Sequence, residues 1–400
     1  MKLLGMHSGI GSMLIGAKSQ EWNIVGNIES RDYFYTGTFE NNFSGSFLVD
    51  HLWNLSTEQI LKCEDIDLVI GHPACGSFSN LKATGKKKKS KNDGGIEEFI
   101  ETVQIIKPKI FALENLPKSL TVLDYQFYHN LLPEYDIFFE YISNYNYGNI
   151  QKGKKRLFVI GARKELNFYF IPSEFEFKGT TLERCSGLTE ASPNHQYADK
   201  NAIIKGWSRY HFDKTYIPLG FEKNRITLEQ FQEFIKDFPN DTNFLYYNKK
   251  GEQNSRLGFR KISVNRHCSV LSGGSNSAFD NKYRSDTLMP LTIRERARIQ
   301  GFNDDFIFYP TEVKTNKDYQ NLIKQTGRCI AVEFCTHLTQ YIKDFFEGNI
   351  NELNYTNQRF LIPNKFIDEN KAKYCEEVGY SNQEKACQFC WLKNCKIKKS

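Results

Sequence analysis

The first 161 residues alternate short apolar runs with stretches of helical character, and few folds accept that pattern. Runs at 2–6, 22–28, 46–49, 67–70 and 109–113 have strand length, and helices fit 13–18 and 96–106 between them. Repeated strand–helix units build a parallel sheet with helices on its faces. Ligands of such open α/β sheets bind beyond the carboxyl ends of the strands, so the residues that follow each run carry the functional reading. Further strands are predicted at 136–143 and 156–161.

After the first run comes His7-Ser8-Gly9-Ile10-Gly11-Ser12, a turn that lets a ligand approach the backbone closely at the start of a helix. The second run ends at Glu29, about twenty residues past Gly9, the separation at which an acid meets ribose hydroxyls in nucleotide-binding βαβ units. Leu14 breaks the Gly-x-Gly-x-x-Gly pattern of pyrophosphate binders, which argues against NAD. The fourth run leads into Gly71-His72-Pro73-Ala74-Cys75-Gly76-Ser77-Phe78-Ser79 and the fifth into Glu114-Asn115-Leu116-Pro117. A loop cysteine on its own is commonly just a small buried residue. A carboxyl at a second strand end changes its meaning: a thiolate and an acid flanking one crevice suit conjugate addition to a pyrimidine. The sulfur attacks ring carbon 6 while the acid serves ring nitrogen 3, and carbon 5 becomes nucleophilic. Burial of Glu114 would raise its pKa, which helps it carry a proton.

Basic residues gather in two places. Residues 82–95 hold six lysines, five of them between Gly85 and Gly94, and cannot bury themselves. Placed directly after Cys75, the segment reads as a mobile lid whose lysines meet phosphates, against the plainer reading of a solvated loop. The second cluster, Tyr147-Gly148-Asn149-Ile150-Gln151-Lys152-Gly153-Lys154-Lys155-Arg156, leads into an apolar strand, and a solvated turn competes there too. From 164 to 260 the alternation stops and no chemical motif appears, as in an insertion with its own small core. In Pro290-Leu291-Thr292-Ile293-Arg294-Glu295-Arg296-Ala297-Arg298-Ile299-Gln300-Gly301-Phe302, Thr292 can cap a helix with Glu295 three residues on.

Taken in order, the glycine turn, Pro73-Ala74-Cys75, Glu114-Asn115, the basic turn and Arg294-Glu295-Arg296-Ala297-Arg298 resemble the cytosine carbon-5 DNA methyltransferase family, over roughly residues 1–163 and 258–345. The resemblance implies an α/β fold, a Rossmann-like doubly wound methyltransferase sheet with a smaller target-recognition domain and a short Cys-rich C-terminal tail. The divisions it implies are a catalytic domain binding S-adenosylmethionine (1–163), a target-recognition domain reading base edges in the major groove (164–259), a closing return to the catalytic domain (260–347), and a linker with the tail (348–400). It implies Cys75 as the nucleophile, Glu114 as the acid at ring nitrogen 3 and Asn115 as support for that loop. Lys154 and Arg156 take the two basic positions of the family's Gln-x-Arg-x-Arg, provided Gly153 absorbs one extra residue. The cofactor is assigned to His7, Ser8, Gly9, Ile10, Gly11 and Pro73, with Glu29 on the ribose and Asp50 at the adenine amino group.

Several positions depart from the family pattern. Gly5 stands for Asp, His7 for the Phe that packs on adenine, Ala74 for a second proline and Gly76 for glutamine. The segment Gln325-Thr326-Gly327-Arg328-Cys329-Ile330-Ala331-Val332 lacks an asparagine and two prolines. A histidine can still stack, so altered cofactor binding is expected rather than none, and a helix through Tyr341 is expected to pack back on the first domain. The implied substrate is a cytosine flipped from duplex DNA, because its target carbon is inaccessible in the stack. Two rivals share the scaffold: a DNA-binding protein without activity, and an RNA cytosine methyltransferase.

Beyond Gly348 the resemblance ends. Cys375, Cys387, Cys390 and Cys395 follow the spacing Cys-x11-Cys-x2-Cys-x4-Cys, read as a tetrahedral zinc site, with free thiols as the alternative. A composition of 40% hydrophobic and 25% charged residues excludes a disordered or fibrous chain. The net charge of +6 accommodates a polyanion without identifying one. No apolar run reaches bilayer length and the N-terminus lacks a signal-peptide pattern, so a cytoplasmic monomer, near the nucleoid if bacterial, is expected. The other cysteines, at irregular spacing, fit a reduced compartment.

Overall fold

The computed structural model describes residues 1–29, 33–73, 94–117, 119, 123, 125–168, 178–189, 191–195, 204–205, 207–212, 215–218, 225–247, 253–271, 273, 282–330 and 332–350. Cys75, the lysine run and the four tail cysteines lie outside these residues. The principal sheet holds β1 (Lys2–Met6), β2 (Asn23–Ile28), β3 (Phe47–Val49), β4 (Leu68–Gly71), β5 (Ile110–Asn115), β6 (Tyr135–Ser143) and β8 (Lys155–Arg163). Their order is β3-β2-β1-β4-β5-β8-β6. Every neighbouring pair from β3 to β5 is parallel, and β8 runs antiparallel to both β5 and β6. The short β7 (Gln151–Lys152) pairs instead with Cys268–Ser269.

Strand side chains alternate between two apolar cores, one on each face. Leu68, Ile70, Ile110, Ala112, Phe158 and Ile160 enter one; Val69, Phe111, Leu113, Leu157 and Val159 enter the other. Burial on both faces is why these strands read as continuous apolar runs rather than as alternating ones. The helices α1 (Ile15–Ser19) and α2 (Tyr33–Asn42) pack on the first face. α3 (Thr57–Lys62) follows β3, and α4 (Gly94–Ile106) and α5 (Tyr125–Leu131) cover the second face, with Phe99 and Tyr128 fully packed. The expected helix at 13–18 is a 3-10 turn, Ser12–Leu14, followed by α1.

Strand order runs outward from β1 through β2 to β3 on one side and through β4 to β5 on the other. The crevice expected at such a reversal lies between the ends of β1 and β4. Those ends touch, because the His72 amide donates to the Met6 carbonyl at 3.2 Å.

The described residues between 204 and 284 form mainly antiparallel strands, as the loss of strand–helix alternation suggests. Five of them make a second sheet in the order Thr215–Pro218, Trp207–Phe212, Asn243–Tyr247, Gln253–Ile262, Lys282–Arg284. The strand Gln253–Ile262 runs across the 259/260 division drawn from sequence. Among the described residues the region does not keep to a core of its own. After the short α6 (Thr181–Arg184), helix α7 (Leu228–Ile235) sends Leu228, Phe231 and Ile235 into the first-face core, where Phe231 meets Tyr283 at 4.9 Å between ring centres. Buried Lys261 closes that helix by donating from Nζ to the carbonyls of Ile235, Lys236 and Phe238.

The chain then returns through α8 (Ile293–Ile299), α9 (Asn316–Arg328) and α10 (Val332–Phe346). The Thr292–Glu295 capping box forms as expected: Thr292 Oγ1 accepts from the Glu295 amide at 3.1 Å, and Glu295 Oε2 from the Thr292 amide at 2.8 Å. α10 does pack back on the first unit. Gly16 of α1 lies so close to Thr336 that a Cβ there would overlap its backbone, and the Gln20 side chain donates to the Thr336 carbonyl at 2.8 Å and accepts from Thr339 at 2.7 Å.

Candidate active site

The glycine turn leaves β1 with His7, Gly9 and Gly11 all at positive φ (50°, 62° and 85°). Gly11 must be glycine twice over, since its conformation is left-handed and the Phe43 ring fills the space a Cβ would take. Glu29, at the end of β2, accepts from the Gly9 amide at 2.6 Å, so acid and turn are one unit. Ser8 Oγ is buried and takes no hydrogen bond from the described residues, a polar atom left over for a ligand in that turn. Asp50, just past β3, is exposed, and a hydrogen bond from Asn54 holds its carboxyl below its ordinary range. Backbone amides beside a fixed acid, a spare hydroxyl and a second acid at the next strand end fit an adenosyl cofactor.

A third carboxylate joins these pieces. Glu98, in the first turns of α4, places Oε2 at 3.3 Å from His7 Nε2 and Oε1 at 2.8 Å from His51 Nδ1. Burial pushes its pKa up, but the two imidazoles outweigh that and hold it below its ordinary value. Neither Glu98 nor His51 is marked by a sequence motif.

One strand further along the sheet edge stands the acid. Glu114 is fully buried and forms ion pairs rather than hydrogen bonds: Arg156 Nε stands 2.8 Å from Oε1, and His72 Nε2 lies 3.1 Å from Oε2. Register explains the meeting: Gly71 pairs with Leu113, so the next residues are His72 and Glu114, and Arg156 enters at the start of antiparallel β8. Burial drives the Glu114 pKa up to about 7 against the opposing pull of Arg156 and Lys154. The neighbouring Asn115 accepts from the Leu116 amide at 2.7 Å, which supports the turn that follows.

Lys154 differs from the solvated-turn alternative. Gly153, at φ 92°, turns the chain in a left-handed step between β7 and β8, and Lys154 points inward at 1% exposure. Its Nζ donates to Gln300 Oε1 at 2.7 Å and to the Cys329 carbonyl at 3.0 Å. Burial, with Arg156 nearby, lowers its pKa to about 7. Gln300 Oε1 also accepts from Gln151 Nε2 at 2.7 Å, and Asn149 Nδ2 donates to the Ile299 carbonyl and to Glu333 Oε2. The basic turn is thus bolted to the end of α8 from beneath, while Lys152 and Lys155 stay exposed over the rings of Tyr145 and Tyr141 at 5.5 and 5.6 Å.

His7, Ser8, Gly9, Gly11, Glu29, Asp50, Pro73, Glu114 and Arg156 all fall along the carboxyl edge of the central strands or the entrance to β8. Sequence reasoning passed over His72, Glu98 and Gln300. Among the described residues no group of His, Cys, Asp and Glu could hold a metal ion, and no helix is long and apolar enough to cross a membrane.

Known proteins share this sequence pattern and this fold. The family model for C-5 cytosine-specific DNA methylase matches residues 1–344. The type II methyltransferase M.NgoPII of Neisseria gonorrhoeae is 26% identical over 87% of this chain and 96% of its own length. For M.FnuDI of Fusobacterium nucleatum the identity is 24%, over 86% and 94%. A DNA modification methyltransferase encoded within an E. coli prophage superposes at TM-score 0.57 with 20% identity, over 87% of this chain and 99% of that one. Spodoptera frugiperda DNMT2 reaches the same TM-score at 11% identity, over 86% and 99%. A doubly wound sheet, a glycine turn locked to an acid and a buried carboxyl at the next strand end therefore have one explanation: the chain belongs to the family of C-5 cytosine-specific DNA methylases.

Proposed function

We propose that Cys75 and Glu114 carry out the methylation of carbon 5 of a flipped cytosine in duplex DNA, within a site whose cofactor half is the His7–Gly11 turn with Glu29, Asp50 and Pro73. The observation that carries this reading is the Glu114 carboxyl, sealed from water, its pKa pushed up by burial to about 7, with Arg156 Nε 2.8 Å from Oε1. A neutral acid in that position can donate to ring nitrogen 3 as the Cys75 thiolate adds to carbon 6, and the enamine so formed makes carbon 5 nucleophilic. S-adenosylmethionine, when bound, supplies the methyl group. Loss of the carbon-5 proton to a water molecule then expels Cys75 as the thiolate, and the proton on ring nitrogen 3 returns to Glu114.

Arg156 acts on the orientation of Glu114, and Lys154 acts from below by fixing the turn that presents Arg156. Lys152 and Lys155, at the lip, meet phosphates and add affinity without sequence preference. Residues 164–259 are read as the part that discriminates base edges, and a structural zinc in the cysteine-rich tail belongs to the same proposal. Transfer of labelled methyl groups to unmethylated duplex DNA, mapped at base resolution, tests the reaction. Cys75→Ser should abolish turnover and leave cofactor binding intact; retained methylation would remove Cys75 from the mechanism, and preference for structured RNA over duplex DNA would replace the substrate.

A further inference from the structure

The carboxylate of Glu333, in the first turn of α10, is met from three sides. Arg184 Nη2, on α6, donates to Oε1 at 2.7 Å, and Asn149 Nδ2, in the turn before β7, donates to Oε2 at 2.9 Å. On the third side lies Gly301, just past α8, at a φ of 94° that favours glycine; the Glu333 carboxylate fills the space where its Cβ would stand. A carboxylate suits this junction because it only accepts, and both groups facing it donate.

One arm of the junction leads to the start of residues 164–259. Arg184 Nε also donates to the Arg298 carbonyl at 2.8 Å, and the Thr181 and Leu182 amides bond to the carbonyls of Arg266 and Val264 at 2.9 and 2.8 Å. The other arm leads to the acid. Asn149 Oδ1 accepts from the Gln151 amide at 3.0 Å, and Gln151 Nε2 and Lys154 Nζ share Gln300 Oε1, each at 2.7 Å. Two residues past Lys154, Arg156 Nε stands 2.8 Å from Glu114 Oε1.

We propose that Glu333 is a positioning residue for methyl transfer: held by Arg184, it docks the recognition segment on the turn at 149–156 and so sets where Arg156 stands against Glu114. The inference rests on the reading of Arg156 and Glu114 given above. Its two hydrogen-bond partners, Arg184 and Asn149, belong neither to the cofactor turn nor to the lysines at the lip. The effect of Glu333 therefore falls on the chemical step, in kcat, and leaves the binding of DNA and cofactor as it is.

Glu333→Gln keeps the shape but sets an NH2 group against a donor, whichever way the amide turns. In DNA methylation assays kcat per folded molecule is expected to fall about tenfold, the scale of one hydrogen bond to a charged group, with KM for DNA and the Kd of S-adenosylmethionine unchanged. Arg184→Gln, at the more exposed end of the pair, should give the same kcat-selective loss without disturbing the packing over Gly301. A double-mutant cycle separates positioning from general support of the fold. Arg156→Gln should lower kcat about a hundredfold, and adding Glu333→Gln should lower it no further, because no guanidinium is left to place. Wild-type kcat in Glu333→Gln or Arg184→Gln, a loss confined to KM or to the folded fraction, or a further tenfold loss in the double mutant overturns the proposal. Wild-type kcat in Arg156→Gln would instead defeat the reading of Arg156, and the role of Glu333 with it.

Discussion

Glu98 Oε2 lies 3.3 Å from His7 Nε2, tying the start of α4 to the turn that leaves β1. The same carboxylate holds His51, the neighbour of Asp50, so one side chain spans both ends of the cofactor crevice. His7 occupies a left-handed conformation that a histidine adopts at some cost, and the Glu98 contact helps to hold it there. Glu98→Gln is expected to weaken S-adenosylmethionine binding by about tenfold, the scale of one lost charged hydrogen bond. The exposed neighbour Glu97→Gln should have no effect, and calorimetric titration of the cofactor distinguishes them. Because the Glu98 pKa is depressed, its stabilisation is fully present above the ordinary glutamate range and is lost as the pH falls through the depressed value.

Glu114 has the opposite linkage. Its pKa rises from 4.5 to about 7 on folding. Below the lower value both states hold the proton, and between the two the unfolded chain releases it while the folded one does not. Stability therefore declines as the pH rises through this window and levels off above it. Glu114→Gln removes the decline. Its stability relative to wild type should increase between pH 4 and pH 8, climbing by about 1.4 kcal/mol per pH unit inside that window, as measured by denaturant unfolding. Activity should fall about 10²- to 10⁴-fold, the usual contribution of a general acid. A mutant both inactive and more stable at pH 8 separates a functional carboxyl from a structural one.

Gly16 sets how closely α10 approaches α1. Gly16→Ala places a methyl against the Thr336 backbone, which has no rotamer by which to move aside. Overpacking of this kind costs about 1–3 kcal/mol. The expected outcome is a lower melting temperature together with faster amide exchange along α10, where Lys343 Nζ and Thr339 Oγ1 both bond to Gln20.

Features that depend on neighbours in sequence were legible. The strands up to residue 115 fall within two residues of their expected bounds, and the Thr292 cap forms as expected. What was not legible depends on distant partners. Lys154 belongs to a charge run that by local rules is solvated, yet Gln300 and the Cys329 carbonyl, both more than a hundred residues away, draw it inside. His72 gave no signal beyond its place before Pro73; only the β4–β5 register brings it to Glu114. The α7 segment looks like part of an insertion because its apolar spacing names no partner, and the partner is the main core.

The Arg294-Glu295-Arg296-Ala297-Arg298 motif, so clear in the sequence, reads in the structure as scaffold. Arg294 is fully buried and bonds three carbonyls, from Nε to Pro193 at 2.7 Å, Nη1 to Asn303 at 3.0 Å and Nη2 to Phe306 at 2.8 Å. Arg296 Nε donates to Thr326 Oγ1 at 2.9 Å, joining α8 to α9. Three separate nitrogens of one planar guanidinium meet these three carbonyls, and the single nitrogen of a lysine cannot stand at all three positions. Arg294→Lys should therefore destabilise the protein by about 2–3 kcal/mol, from carbonyls left unpaired and a charge less well held. Methylation per folded molecule should stay near the wild-type value once the folded fraction is measured by unfolding. A kcat that falls while stability is unchanged would instead move Arg294 from the scaffold to the active site.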